Sequence, residues 1–349
     1  MKEKNSEFNQ NFIEKILDYK AELLVLAGFL IRIFMLIYYY YVHAINPAKS
    51  WGDVAINYRS NCCYPPLTLF FLDIFRLLSF GILEIFAFWA FLLEFIAAIL
   101  FYFVLKRFQI SKILYAFGLF LVNPFFFLNN IFSLENCGYH ITDSFFFIFL
   151  FLALIYYPQE KKSDKKNLFY LFLGLSAVAK IYTLPFVGFF FLKFLIDKNW
   201  KEMKKFLIVT IPLILIFLVF PLFFIEEYAQ YYSLFNTLGE EKIPFYIRVI
   251  PPLVIFALYL IFRINKADLL EMVFLSILIT ATFLFFSLPF LRYFQPLLIF
   301  GMLKEKEFFR FNLNLGFIKR EIKFDNQLLV FYSSFLLVLG SYLIIIFIL

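Results

Sequence analysis

Runs approaching the roughly 20 apolar residues that a membrane-spanning helix needs recur along the chain, separated by short charged loops. They fall at Leu23–Tyr41, Ile85–Leu105, Ile113–Phe127, Asp143–Tyr157, Leu168–Lys180, Thr183–Leu195, Phe206–Ile225, Ile247–Phe262, Leu269–Leu288, Phe290–Leu303 and Leu328–Leu349. The pattern predicts an all-α, polytopic transmembrane helical bundle of about eleven spans. One further apolar stretch, Leu67–Phe80, carries Asp73 and Arg76 and would invert every later loop if it crossed. It reads as an amphipathic helix lying in the outer interface, with Pro65 and Pro66 at its start, where no intrahelical donor is needed. The expected organisation is a cytoplasmic segment over residues 1–22 and one transmembrane domain over 23–349, with a long external loop at 43–84.

Composition rules out a soluble domain. Hydrophobic residues make up 63% of the 349 positions and aromatic residues 23%, where a soluble chain is about half apolar. The 57 phenylalanines read mostly as a lipid-facing, aromatic-biased surface. Residues 1–22 are too polar for a signal peptide and no small-residue cleavage site follows the first apolar run, so the first helix is expected to be an uncleaved anchor. The net charge of +7 could point to an anionic partner, but the cations collect in alternate loops: Lys106, Arg107 and Lys112; Lys161 to Lys166; Lys198 to Lys205; Arg263 and Lys266; Lys304 to Lys323. Placing these loops and the N-terminus in the cytoplasm satisfies the positive-inside rule. Topology then explains the charge, and no nucleic-acid partner is implied.

Against that pattern a few polar residues stand out. The stretch from Trp51-Gly52-Asp53 through Asn57, Arg59 and Asn61 to Tyr64-Pro65-Pro66-Leu67-Thr68 puts a carboxylate in an otherwise oily protein. Ionisable groups retained at such positions are functional candidates. Lys180 and Arg292 lie at the opposite ends of their spans from the cytoplasmic lysines, breaking the positive-inside pattern. His140 and Asp143 stand one helical turn apart at the outer end of the fourth span. Two distant histidines and no carboxylate pair at ligand spacing give metal binding little support; a divalent ion would require Asp53 to meet Asp143 in space.

Asp53 in an aromatic-Gly-Asp context, followed by Tyr64-Pro65-Pro66-Leu67-Thr68 leading an outer-surface helix, resembles the first external loop of GT-C superfamily membrane glycosyltransferases. The likeness is to those using dolichyl- or polyprenyl-phosphate sugars, both glucosyltransferases of the N-glycan pathway and prokaryotic mannosyltransferases. Arg32 in the first span, Asn123-Pro124 closing the third, His140 and Asp143, Lys180 with Leu184-Pro185, and Arg292-Tyr293 with Pro296 agree with it in order and in side of the membrane. The chain departs from the pattern at Cys63, where an acid usually precedes Tyr-Pro-Pro, at Gly138 to Asp143, where prokaryotic relatives often have Trp-Gly-Gln-x-Asp, and at Leu291, where Glu is frequent. The particular sugar therefore does not follow.

The resemblance implies transfer of a hexose, mannose or glucose, from a polyprenyl-phosphate sugar to an acceptor hydroxyl on the non-cytoplasmic face, with inversion and no cofactor. Asp53 would be the general base; the bland reading is a helix-capping or loop-bonding aspartate. Arg292, Lys180 and His140 are candidates for the donor phosphate, since a planar guanidinium can bind two phosphate oxygens at once. Arg292 could instead pair with Asp143 or Glu94, or snorkel to the surface. Asp143, Arg59, Tyr64 and Tyr228 are candidates for substrate contact, against an N-terminal cap for Asp143, a solvated loop for Arg59 and an interfacial belt for Tyr228, Tyr231 and Tyr232. Partners would be the lipid-linked donor, a glycolipid, lipid-linked oligosaccharide or protein acceptor, and membrane lipid. Cys137 would face Cys62 and Cys63 outside, allowing one disulfide or three free thiols. The rival classes are a secondary transporter or flippase for lipid-linked glycans and a non-catalytic membrane scaffold. No repeat relates the two halves, and the polar residues gather at the outer ends of spans, not at mid-span.

Overall fold

A computed structural model of the protein describes residues 19–45, 58, 64–123, 141–158, 166–224, 244–287, 291–303, 307–314 and 319–348. Within them each apolar run forms helix. The order is α1 (Lys20–Ile45), α2 (Pro66–Leu78), α3 (Leu83–Arg107), α4 (Ile113–Leu121), α5 (Ile141–Ile155), α6 (Lys166–Ala179), α7 (Phe186–Ile196), α8 (Trp200–Ile214), α9 (Phe220–Phe224), α10 (Phe245–Phe262), α11 (Leu269–Ser287), α12 (Gln295–Met302) and α13 (Asn326–Ile348). One-turn 3-10 segments at Ile181–Thr183 and Leu291–Phe294 interrupt the α6–α7 and α11–α12 connections.

The all-helical expectation fails in one place. The charged loop before α13 holds an antiparallel hairpin of β1 (Glu307–Asn314) and β2 (Lys319–Asp325), with Arg310 opposite Lys323 and Asn312 opposite Glu321. Apolar and polar residues alternate from Phe309 to Asn314 and from Glu321 to Asp325, a period of two that favours pairing over helix. Asp325 ends the hairpin and starts α13: its Oδ1 accepts from the backbone N–H groups of Gln327 (3.1 Å) and Leu328 (3.0 Å), two donors no helical carbonyl can serve.

By length and composition three helices suffice to cross a bilayer, Lys20–Tyr38, Leu83–Arg107 and Trp200–Phe224, or four if the bent pair α6 and α7 is one span. The sequence reading of about eleven crossings is finer than this. Its difficulty is clearest at α6, α7 and α12, with 14, 11 and 8 residues. At about 1.5 Å per residue each falls short of the ~30 Å hydrocarbon layer. Surface chemistry agrees with a bilayer environment. Leu26, Leu30, Phe34 and Ile37 on α1, Ile208 and Ile216 along α8 and its continuation, and Leu253, Leu258 and Ile261 on α10 are exposed large apolar side chains in rows no water-facing surface would carry.

The interior is aromatic, which corrects the lipid-facing reading of the phenylalanines. Phe86, Phe101, Phe146, Phe169, Phe186 and Phe206 are fully buried, and among the described residues more phenylalanines are buried than exposed. Lipid offers an apolar side chain no less than the protein interior does, so helix association in a membrane depends on close packing and ring geometry. Tyr170, Phe186, Phe190 and Phe206 meet edge-on or tilted with centroids 5.3–5.8 Å apart where α6, α7 and α8 converge.

At the other side of the bundle α1 packs on α4 through two glycines. A methyl at Gly118 would lie 2.6 Å from Leu24 Cβ, and one at Gly28 would collide with Leu121. One turn beyond Gly28, the fully buried Arg32 ion-pairs with Glu94 of α3 (Nε to Oε1, 2.9 Å) and donates to the carbonyls of Gly28 (3.1 Å) and Leu121. An arginine that would be costly in lipid thus ties α1, α3 and α4 together. At the α10–α11 connection, Arg263 donates two hydrogen bonds to Glu271 in the first turn of α11 (3.0 and 2.9 Å), which hold its guanidinium above the usual arginine range.

Between Pro212 and Pro221 the α8 helix widens to a π-turn, Leu215–Val219, before continuing as α9. Each proline lacks an N–H and crowds the carbonyl four residues earlier, so the ladder cannot run through regularly. The widened turn packs against α2.

Candidate functional site

The α6–α7 break organises the described part of the site. Lys180 takes an extended conformation (φ −154°, ψ 129°), ending α6. Ile181–Thr183 make one 3-10 turn, and Pro185 leads into α7, so the two helices are bent by 119°. The turn is internally satisfied: Ser176 Oγ lies 2.9 Å from Thr183 Oγ1 and donates to the Leu173 carbonyl at 2.7 Å. The carbonyl of Ala179, at the end of α6, accepts from Thr68 Oγ1 at 2.6 Å. Thr68 is fully buried. The hydroxyl that closes the Tyr64-Pro65-Pro66-Leu67-Thr68 segment is therefore what docks α2 onto the break, and Pro65 and Pro66 start that helix as the sequence reading expects.

Two charges meet beside this dock. Lys180 Nζ pairs with Asp143 Oδ1 and lies 5.5 Å from the centre of the Tyr182 ring. Asp143 sits in the first turn of α5, where the helix dipole favours an anion, and is buried to 6% exposure. Tyr182 packs on Phe146 at 5.2 Å, and Phe145 stacks under Phe71 of α2 at 5.2 Å. Asp143, Lys180, Thr68 and Tyr182 thus come from α5, the break and α2 to one place. Tyr64 is half-buried in the neighbouring apolar cluster, where Tyr58 rests on Phe86 (5.4 Å).

The second break lies on the same support. The Leu291–Phe294 turn, which carries Arg292, and the Ile181–Thr183 turn both pack against α11, while the first of these also packs against α13. Tyr293, beside Arg292, is buried in the core. Of the two acids that the sequence reading offered Arg292, Asp143 pairs with Lys180 and Glu94 with Arg32, while the Arg292 side chain lies outside the described residues. Asp53, Arg59, His140 and Tyr228 lie outside the described residues, as do Cys62, Cys63 and Cys137. So does any meeting of Asp53 with Asp143; among the described residues no three His, Cys, Asp or Glu side chains gather.

Sequence reasoning missed Thr68, the Lys180–Asp143 pairing and Arg248. Arg248, in the first turn of α10, is buried to 1% exposure. Its signal was the one that marked Arg32, a guanidinium within an apolar run. The Lys180–Asp143 pair had no comparable signal, because residues 37 positions apart carry no local mark of their contact.

Fold and surface define a helical membrane protein with a charged pair at a broken helix. Comparison with protein-family profiles, with curated proteins and with solved structures found no match to the chain.

Proposed function

We propose that the protein is a GT-C-like membrane glycosyltransferase that takes a hexose, mannose or glucose, from a polyprenyl-phosphate sugar and transfers it to an acceptor hydroxyl on the non-cytoplasmic face. The observation that carries this reading is the gathering, at one helix break, of residues from three separate segments of the resemblance: Thr68 of the Tyr-Pro-Pro element, Asp143 and Lys180. The second turn, with Arg292, packs on the same helix α11.

In the proposed reaction Asp53 takes the proton from the acceptor hydroxyl as its oxygen bonds to the anomeric carbon. The bond from that carbon to the phosphate oxygen breaks, inverting the centre, and the polyprenyl phosphate leaves with the electron pair. Arg292, Lys180 and His140 stabilise its charge, which matters most where water is excluded. Asp143 holds the Lys180 ammonium in place until the phosphate arrives, so Lys180 enters the reaction already desolvated and oriented. Arg59, Tyr64 and Tyr228 contact the sugar or acceptor. The topology that goes with this reading has about eleven crossings, a cytoplasmic N-terminus and an outward site.

The bent α6–α7 pair also favours a second reading, since discontinuous helices are the usual binding elements of secondary transporters. A flippase for lipid-linked glycans would use the same phosphate-binding cations without transfer.

The test supplies purified protein in nanodiscs with labelled polyprenyl-phosphate hexoses and membrane-lipid acceptors, comparing the native chain with Asp53→Asn. The expected outcome is transfer by the native protein and a loss of at least ~100-fold in the variant with donor binding retained. Donor binding without transfer in either form, together with donor movement across liposomes, would replace the enzyme by the transporter. Absence of donor binding would sink both readings.

A further inference from the structure

Three buried polar side chains far apart in sequence meet where α4, α12 and α13 converge. Asn123 follows the last turn of α4, Gln295 opens α12 directly after the Leu291–Phe294 turn, and Ser334 lies inside α13. Their exposures are 3%, 3% and 0%. Asn123 Nδ2 donates to Ser334 Oγ at 2.8 Å. Ser334 Oγ in turn donates to Gln295 Oε1 at 3.2 Å, and Gln295 Nε2 returns a bond of 3.3 Å to the Ser334 carbonyl. One serine therefore closes a ring with Gln295 and joins it to Asn123. The helices are held close on the same face: a methyl at Gly301 of α12 would lie 2.6 Å from Val330, one turn before Ser334.

Apolar side chains would join three helices in a membrane at least as well, so the polar groups call for another reason. Hydrogen bonds differ from apolar contact in direction: they admit one rotation and one register, and leaving any member unpaired in this surrounding is costly. The register fixed here is that of Gln295, the residue next to the 3-10 turn that carries Arg292. The other end of the network, Asn123, stands just before Pro124, at the end of α4 from which the chain runs on to Asp143.

We propose that Asn123, Gln295 and Ser334 are positioning residues, which lock the Leu291–Phe294 turn so that Arg292 is presented to the donor phosphate. The inference rests on the phosphate-binding reading of Arg292 given above. It assigns a purpose to Asn123-Pro124 that the proposed chemistry leaves unused. The residues touch neither donor nor acceptor, and their effect passes through the turn.

The experiment compares native protein with Ser334→Ala, which deletes both hydroxyl bonds while keeping a good helix former, and with Ser334→Thr, which restores the hydroxyl. Hydrogen exchange of the 291–295 backbone amides is read in detergent without substrate. Exchange should be about 5- to 10-fold faster in Ser334→Ala, as loss of two average membrane hydrogen bonds implies, and near native in Ser334→Thr. Amides of α3 should not change. The second arm measures KM for a labelled polyprenyl-phosphate mannose, expected to rise by a similar factor in Ser334→Ala while the acceptor KM holds. Unchanged exchange at 291–295, or equal acceleration in every helix, would overturn the positioning role. If the native protein binds no donor, the reading of Arg292 falls, and the exchange arm still decides whether the network locks the turn.

Discussion

At the scale of single residues, the informative side chains are charges that an apolar chain retains and then pairs. Arg32 meets Glu94, and Lys180 meets Asp143. Each of the four was visible in the sequence as a charge in or beside an apolar run, but the pairing was not. The sequence reading weighed both acids as ion-pair partners only for Arg292. Asp143 and Lys180 have side-chain exposures of 8% and 19%, so removing one partner takes an opposite charge from a poorly solvated place. Lys180→Met or Asp143→Leu alone should each lower stability by about 3 kcal/mol, whereas the double variant carrying both should recover more than half of the summed loss. Thermal unfolding of the detergent-solubilised protein checks this. Additive losses would show that the two side chains do not act as a pair.

At the scale of elements, helix positions and the place of the α6–α7 interruption were legible, whereas the π-turn and the hairpin were not. Apolar length located each helix, and Pro65 with Pro66 located the start of α2, because those signals are local. The break at Lys180 also has local causes, an extended residue and Pro185; the sequence reading placed a boundary there but counted two separate spans where the bend makes one bent pair. The hairpin before α13 hid within a loop read only for its cations. Element packing is likewise set by few residues. Gly118→Ala should push α1 from α4, because its new methyl falls 2.6 Å from Leu24 Cβ and the nearby atoms include Val25 backbone. The expected cost is roughly 1–3 kcal/mol, read as a lower midpoint in thermal unfolding, and Gly188→Ala in α7, with open space around it, should be neutral or stabilising. A harmless Gly118→Ala would mean that the two helices do not meet at this register.

At the scale of the whole molecule, the exposed apolar rows on α1, α8 and α10 account for an apolar chain, and the proposed orientation follows from the cationic loops. Single cysteines placed at Lys161, Lys198 and Lys266 in a background lacking Cys62, Cys63 and Cys137 should be labelled by a membrane-impermeant reagent from the cytoplasmic side only. A cysteine at Ser50 should be labelled from the other side. Labelling of Ser50 and Lys161 from the same side would overturn the proposed orientation and with it the outward site.

The sequence by itself determined the environment, the helices and the start of α2, because apolar length, proline position and charge bias act locally or in sum over the chain. It also marked Lys180, Asp143 and Arg32 as residues to be explained. Only the tertiary structure decided that Asp143 belongs to Lys180, that Thr68 docks α2 on the end of α6, and that Asn123, Gln295 and Ser334 form one network. Such contacts join positions up to 211 apart in the chain. They depend on how rigid helices cross and break, and no local pattern of side chains encodes the crossing.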